Sequence, residues 1–142
     1  MGKMVQLTFQ TITQRLRKME LPETDLVIGI GSGGIVPASL VAFQLNAELQ
    51  VITLNYRDED NNPRFESPEI IHLPDDLGPQ GKKILLVDDV SVSGKTLQKA
   101  LELLSGYQVK TLTLKGKADY VLFPEIKDCV EWPWKRGCIK NP

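Results

Sequence analysis

The sequence predicts an α/β domain with a mostly parallel central sheet flanked by helices. Two observations carry most of this expectation. Ile84-Leu85-Leu86-Val87 is an uninterrupted apolar run, the mark of a strand buried on both faces, and a small-residue polar loop and a helical pattern follow it. Leu26-Val27-Ile28-Gly29-Ile30 repeats the arrangement, with the turn Gly31-Ser32-Gly33-Gly34 leading into a second apolar helix. Strand patterns at Leu49 to Leu54 and Gln108 to Leu114 come one helix later in each case, the alternation of a parallel sheet.

The 142 residues suffice for one domain with a real core, spanning 1–142, and are too few for two. Basic and acidic residues nearly cancel, 17 against 18, so no basic excess marks a nucleic-acid partner and no charge run marks a tail. No apolar span reaches membrane length and no signal peptide opens the chain, so a cytoplasmic protein without a membrane partner is expected. Cys129 and Cys138 lack metal-ligand spacing, which implies no zinc site and leaves a disulfide between them open.

Taken in order, Phe9, Ile12, Leu16 and Met19 recur at helical spacing and predict a helix over about 8–19, ended by Leu21-Pro22-Glu23-Thr24. The strand at Leu26 to Ile30 follows, and a second helix opens near Pro37 and runs to about Leu45. Gly29, Gly31 and Gly34 satisfy G-x-G-x-x-G between a strand and a helix, so a dinucleotide fold must be weighed. That fold wants an acid at the end of the next strand to hold a ribose diol, and the next strand ends at Asn55. Asn55 to Pro68 is polar and long for a connection, as lids are. Glu69 to Leu73 reads as a short returning strand, and His72, the sole histidine, sits among apolar neighbours as a structural residue.

Lys82 to Leu104 is the richest stretch. After the buried strand come two carboxylates, Asp88 and Asp89, then Ser91-Val92-Ser93-Gly94-Lys95-Thr96, then a helix with Leu97, Leu101 and Leu104 on its apolar face. In an open α/β sheet, ligands bind outside the carboxyl ends of the strands. Loop amides and the positive end of a helix suit a phosphate, with hydroxyls of Ser91, Ser93 and Thr96 as further donors. The acid pair suits ribose hydroxyls or a divalent metal. A sugar phosphate satisfies both halves. The triphosphate-binding loop G-x-x-x-x-G-K-[ST] matches at Gly94, Lys95 and Thr96, but its first glycine falls on Asp89, whose carboxylate would repel the phosphate.

From Ile84 to Thr96 the sequence resembles the type I phosphoribosyltransferases, whose fingerprint is an apolar strand, two acids and a small loop ending Gly-x-Thr. The resemblance implies that the loop 91–96 holds the 5′-phosphate of phosphoribosyl pyrophosphate (PRPP), that Asp88 and Asp89 hold its ribose hydroxyls, and that Mg²⁺ binds nearby. It also gives Ser32-Gly33-Gly34 the role of the pyrophosphate loop. The segment 55–68 becomes a mobile loop from which Arg57 and Arg64 reach the pyrophosphate. The C-terminal Glu131-Trp132-Pro133-Trp134 is most similar to the small xanthine, guanine and hypoxanthine enzymes. By that likeness Lys115 donates to the purine O6 and Trp134 stacks on the base. Residues from roughly 116 onward, with the N-terminal segment, then form a small hood, and a homodimer or larger assembly is implied.

Two positions depart from the family's pattern. Ser32 stands where the pyrophosphate loop usually has a cation, and Val92 stands where 6-oxopurine enzymes place an aspartate as proton acceptor. The resemblance implies transfer of the 5-phosphoribosyl group of PRPP to a nucleobase, a 6-oxopurine by the C-terminal likeness, with release of pyrophosphate (purine salvage). A family member that binds PRPP or a nucleotide without turning it over is the alternative.

Overall fold

The computed structural model describes residues 4–55, 69–74 and 76–135. After β1 (Val5–Gln6), Thr8 caps α1 (Phe9–Lys18) by accepting from the Thr11 amide at 3.1 Å, and Ile12 and Leu16 are the helix's buried residues. β2 (Leu26–Gly31), α2 (Ile35–Leu45) and β3 (Glu48–Asn55) form the first strand–helix–strand unit, and β4 (Glu69–His72) returns antiparallel to β3. β5 (Lys83–Ser91), α3 (Lys95–Leu103) and β6 (Gln108–Gly116) form the second unit, followed by β7 (Tyr120–Val121) and β8 (Val130–Glu131).

Six strands make the main sheet in the order β4-β3-β2-β5-β6-β7, parallel throughout except for β4. Alternation along the strands fills two cores. Val27, Leu85, Val87, Leu112 and Leu114 face one side with Ile12 and Leu16 of α1 and Ala38, Val41 and Ala42 of α2. Leu26, Ile28, Ile30, Ile84 and Leu86 face the other with Leu97 and Ala100 of α3. Leu85, Leu86 and Val87 are wholly buried, and each such side chain contributes about 1.5–3 kcal/mol. The doubly wound, mostly parallel sheet is the fold class that the periodicity predicts.

Four details differ from the sequence reading. α2 begins two residues before Pro37, because the first turn's amides need no intrahelical acceptor and Pro37 fits there. Along α3 and its C-cap, Leu97, Ala100 and Leu104 form the buried stripe, while Leu101 lies one step around the helix and is 39% exposed. β5 continues past the apolar run through Asp88 and Asp89 to Ser91, since its ladder with β6 runs on through Asp88↔Thr113, Val90↔Lys115 and Ser91↔Gly116. The sequence pattern Tyr120 to Phe123 reads as a further short strand, and β7 ends at Val121.

The first and last described strands meet. β1 and β8 pair in parallel, Val5↔Val130 and Gln6↔Glu131, and the Gln6 amide donates to the Glu131 carboxylate at 2.9 Å. Cys129 is disulfide-bonded, while Cys138 lies outside the described residues. Among the described residues no helix is long and apolar enough to cross a membrane.

Candidate functional site

β2 and β5 are neighbours at the middle of the sheet, and the chain leaves them in opposite directions: β2 through α2 to β3, β5 through α3 to β6. Their carboxyl ends therefore border the crevice where strand order reverses, the usual ligand position in an open α/β sheet. The β2–β5 ladder ends at Gly29↔Val87. Just beyond it stand the glycine turn on one strand and the acid pair on the other.

The glycine turn is in direct contact with the end of β5. A Cβ on Gly33 would lie 2.5 Å from a carboxylate oxygen of Asp89, and one on Gly34 would lie 2.6 Å from the Val87 carbonyl. Only glycine lets the turn approach the acids this closely. The Gly31–Ser32 peptide at the head of the turn is cis, and Ser32 is exposed. Gly29 serves packing instead, since a Cβ there would meet Ala38 of α2 at 2.7 Å.

Asp88 is 7% exposed, and one of its oxygens accepts from the Asp89 amide at 2.8 Å. Asp89 in turn accepts from the Val90 amide at 2.7 Å. Burial pushes the Asp88 carboxyl well above the usual carboxylate range, and the adjacent Asp89 charge adds to the shift. A positive charge or a ligand hydroxyl beside the pair would relieve that penalty.

The following loop has mixed environments. Ser91 is buried, and its hydroxyl has no hydrogen-bond partner. Val92 is 39% exposed, and Ser93 accepts from the Lys95 amide at 3.3 Å. Gly94, at φ 81°, turns the chain into α3 and, as its N-cap, has no side chain to accept from the first turn, where Ser93 takes the Lys95 amide. Thr96 lies in the first turn, half-buried.

On the far side of β5, the Lys115 ammonium donates to the Asp128 carbonyl at 2.7 Å. Trp134 stacks on Trp132, rings 5.6 Å apart and 3° from parallel, with Phe9 tilted against it at 5.9 Å. One face of the Trp134 ring is thus occupied by the protein, and its indole N–H is buried without a partner. Arg57 and Arg64 lie outside the described residues. Reading the sequence missed Thr113, wholly buried opposite Asp88 with an unpartnered hydroxyl, and Gly116, packed on Ser91. Strand periodicity marks the first only as an ordinary core position.

Asp88 and Asp89 supply hard oxygen donors, but no group of three or more His, Cys, Asp or Glu among the described residues could cage a metal. That donor set fits Mg²⁺, which keeps several waters and shares its shell between one or two carboxylates and substrate phosphates.

The model of the phosphoribosyl transferase domain matches residues 11–138. The chain belongs to this family. It is 28% identical over 99 residues to the orotate phosphoribosyltransferase of Saccharolobus solfataricus, covering 69% of this chain and 46% of that protein. It thus spans about half the length of that relative. Against the xanthine-guanine phosphoribosyltransferase of Chromohalobacter salexigens identity is 29% over 127 residues, covering 83% of this chain and 74% of that one. In three dimensions the fold superposes on the purine phosphoribosyltransferase from Pyrococcus horikoshii with a TM-score of 0.73, covering 98% of both chains at 24% identity. A phosphoribosyltransferase fold leaves the dinucleotide reading of Gly29, Gly31 and Gly34 without support.

Proposed function

We propose that the protein transfers the 5-phosphoribosyl group of PRPP to a 6-oxopurine and releases pyrophosphate. The observation that carries the reading is the contact of Gly33 with Asp89, which puts a phosphate-suited turn and a diol-suited acid pair on one crevice. Only a ligand bearing an anion on each side of a ribose uses all of it. In this assignment Asp88 and Asp89 accept hydrogen bonds from the ribose hydroxyls. The amides and hydroxyls of 91–96, backed by the positive end of α3, whose N-cap is Gly94, hold the 5′-phosphate. Ser32-Gly33-Gly34 receives the pyrophosphate, with Arg57 and Arg64 approaching from the long loop.

The bond from ribose C1 to the pyrophosphate oxygen breaks with oxocarbenium character as a purine nitrogen bonds to C1 from the opposite face. That nitrogen's proton then passes to water, because Val92 offers no acceptor. Asp88 and Asp89 would hold Mg²⁺ together with ligand oxygens, and the ion, when bound, would supply neutralising charge for the leaving group. Lys115 recognises the purine O6, and the Trp132–Trp134 stack carries the base, with the paired β1 and β8 as the hood. The enzyme works in the cytoplasm as a dimer or larger.

Val92 is the weak point. An exposed valine cannot take the proton that an aspartate there would accept, and such assistance is typically worth about 10²–10⁴-fold. Val92 and the uncharged Ser32 favour one second reading, a module that binds PRPP or a nucleotide in a regulatory role without turnover. Calorimetry with PRPP and Mg²⁺, paired with product assays on guanine, hypoxanthine, xanthine, adenine and orotate, separates the two. Product from a 6-oxopurine supports transfer; tight PRPP binding with no base consumed supports the module; no PRPP binding refutes both. Val92→Asp should raise 6-oxopurine turnover by at least about tenfold. An unchanged rate would show that the proton acceptor lies elsewhere.

A further inference from the structure

We infer that Arg15, on α1 and remote in sequence from every site motif, is a positioning residue for base recognition. The inference rests on the proposed role of Lys115 and deepens it. Nη1 of Arg15 donates to the Leu122 carbonyl at 2.7 Å and to Glu125 Oε1 at 3.1 Å, while Nη2 donates to Glu125 Oε2 at 2.8 Å. The guanidinium also lies 4.5 Å over the Phe123 ring. The shared bonds hold the Arg15 pKa up and the Glu125 pKa down.

The segment so gripped leads to the base side of the crevice. The Leu122 and Phe123 amides donate to the Thr113 and Leu114 carbonyls at 3.0 and 2.9 Å, which brings the segment alongside β6 just before Lys115. It turns through the bond from the Ile126 amide to the Phe123 carbonyl, 3.2 Å, and arrives at Asp128. There the carbonyl accepts from Lys115 Nζ, and the next carbonyl, of Cys129, accepts from the Val5 amide at 2.8 Å. One of the three ammonium donors is thereby fixed on Asp128, which aims the remaining two.

As an ion pair the clamp adds little stability, because its side chains are 38% and 55% exposed. What a bidentate guanidinium contributes, and a point charge does not, is a fixed geometry. Arg15 thus sets the position of the 122–128 segment, and through Asp128 the position of the Lys115 head.

Guanosine 5′-monophosphate and PRPP share the ribose and 5′-phosphate and differ at the base, so together they isolate the effect. In Arg15→Met, which keeps the aliphatic stem, affinity for guanosine monophosphate should fall about tenfold while PRPP affinity stays within about twofold. Arg15→Lys, which keeps the charge but not the planar fork, should fall between. A loss shared equally by both ligands, or by neither, in a folded variant overturns the inference and leaves the transferase reading intact. A wild-type protein that binds neither ligand overturns that reading, and the inference with it.

Discussion

The two ends of the central sheet are built to opposite standards. At the amino end the protein completes its own hydrogen bonds. The Asp25 amide donates to the Lys83 carbonyl at 2.8 Å, and the Lys83 amide donates to the Asp25 carboxylate at 2.9 Å. Gln108 closes the neighbouring strand, its amide to Lys82 and its side chain to the Gly81 carbonyl, each at 3.1 Å. At the carboxyl end the hydroxyls of Ser91 and Thr113 are buried without partners, and Asp88 is buried with its pKa raised. The helices tell the same story. The N-cap Thr8 closes α1 with its own side chain, whereas α2 and α3, which open on the carboxyl end, have glycines, Gly34 and Gly94, at that position. Folding alone satisfies one end. The other holds polar groups at a cost in stability that a ligand rich in oxygen would offset, the pattern expected where function overrides local rules.

The largest effect is expected where the carboxyl end is most tightly packed. Gly116 has φ 104°, and a Cβ there would collide with the Ser91 carbonyl. Gly116→Ala adds left-handed backbone strain to a clash with main chain, and should cost about 3 kcal/mol or more. In a domain of this size that lowers the melting temperature by roughly ten degrees. A variant that melts with the wild type would mean that β5 and β6 separate freely at this end.

Asp88→Asn should act in two directions. The folded carboxyl takes up its proton at higher pH than an unfolded aspartate, near 3.9. Its contribution to stability is therefore full below about pH 3.9 and is lost as pH rises through the raised folded value. The amide has no such loss. The variant should be more stable than the ligand-free wild type at pH 8, by about 1–3 kcal/mol, with a flatter dependence on pH. PRPP affinity should meanwhile fall at least about tenfold. A variant less stable than wild type at pH 8 would show that the buried carboxylate is already compensated within the protein.

Much of this was legible in the sequence, for physical reasons. Strands buried on both faces have a simple signature, so Leu26 to Ile30 and Ile84 to Val87 stand out, and the acids and glycines are local motifs whose neighbours are known from the chain itself. What was not legible depends on contacts between distant segments. Nothing in the alternation of Gln108 to Leu114 says that Thr113 lies beside Asp88, because register is set by pairing and not by pattern. The Trp134 ring presents the same difficulty. An aromatic near the C-terminus reads as a platform for a base, but only the fold shows Trp132 stacked on one of its faces. Leu101 fits the α3 apolar face by spacing alone and is left half out of it, because Ala100 takes the place against the sheet.

The smallest expected effect is the most direct test of the contrast. Thr113 is wholly buried, and its hydroxyl proton has no acceptor. Valine keeps the branched shape and removes the hydroxyl, so Thr113→Val relieves a desolvation penalty without opening a cavity. Stability in urea should rise by about 1 kcal/mol with an unchanged m-value. If it falls instead, the hydroxyl is satisfied in solution by a buried water, and the carboxyl end of the sheet is complete without any ligand.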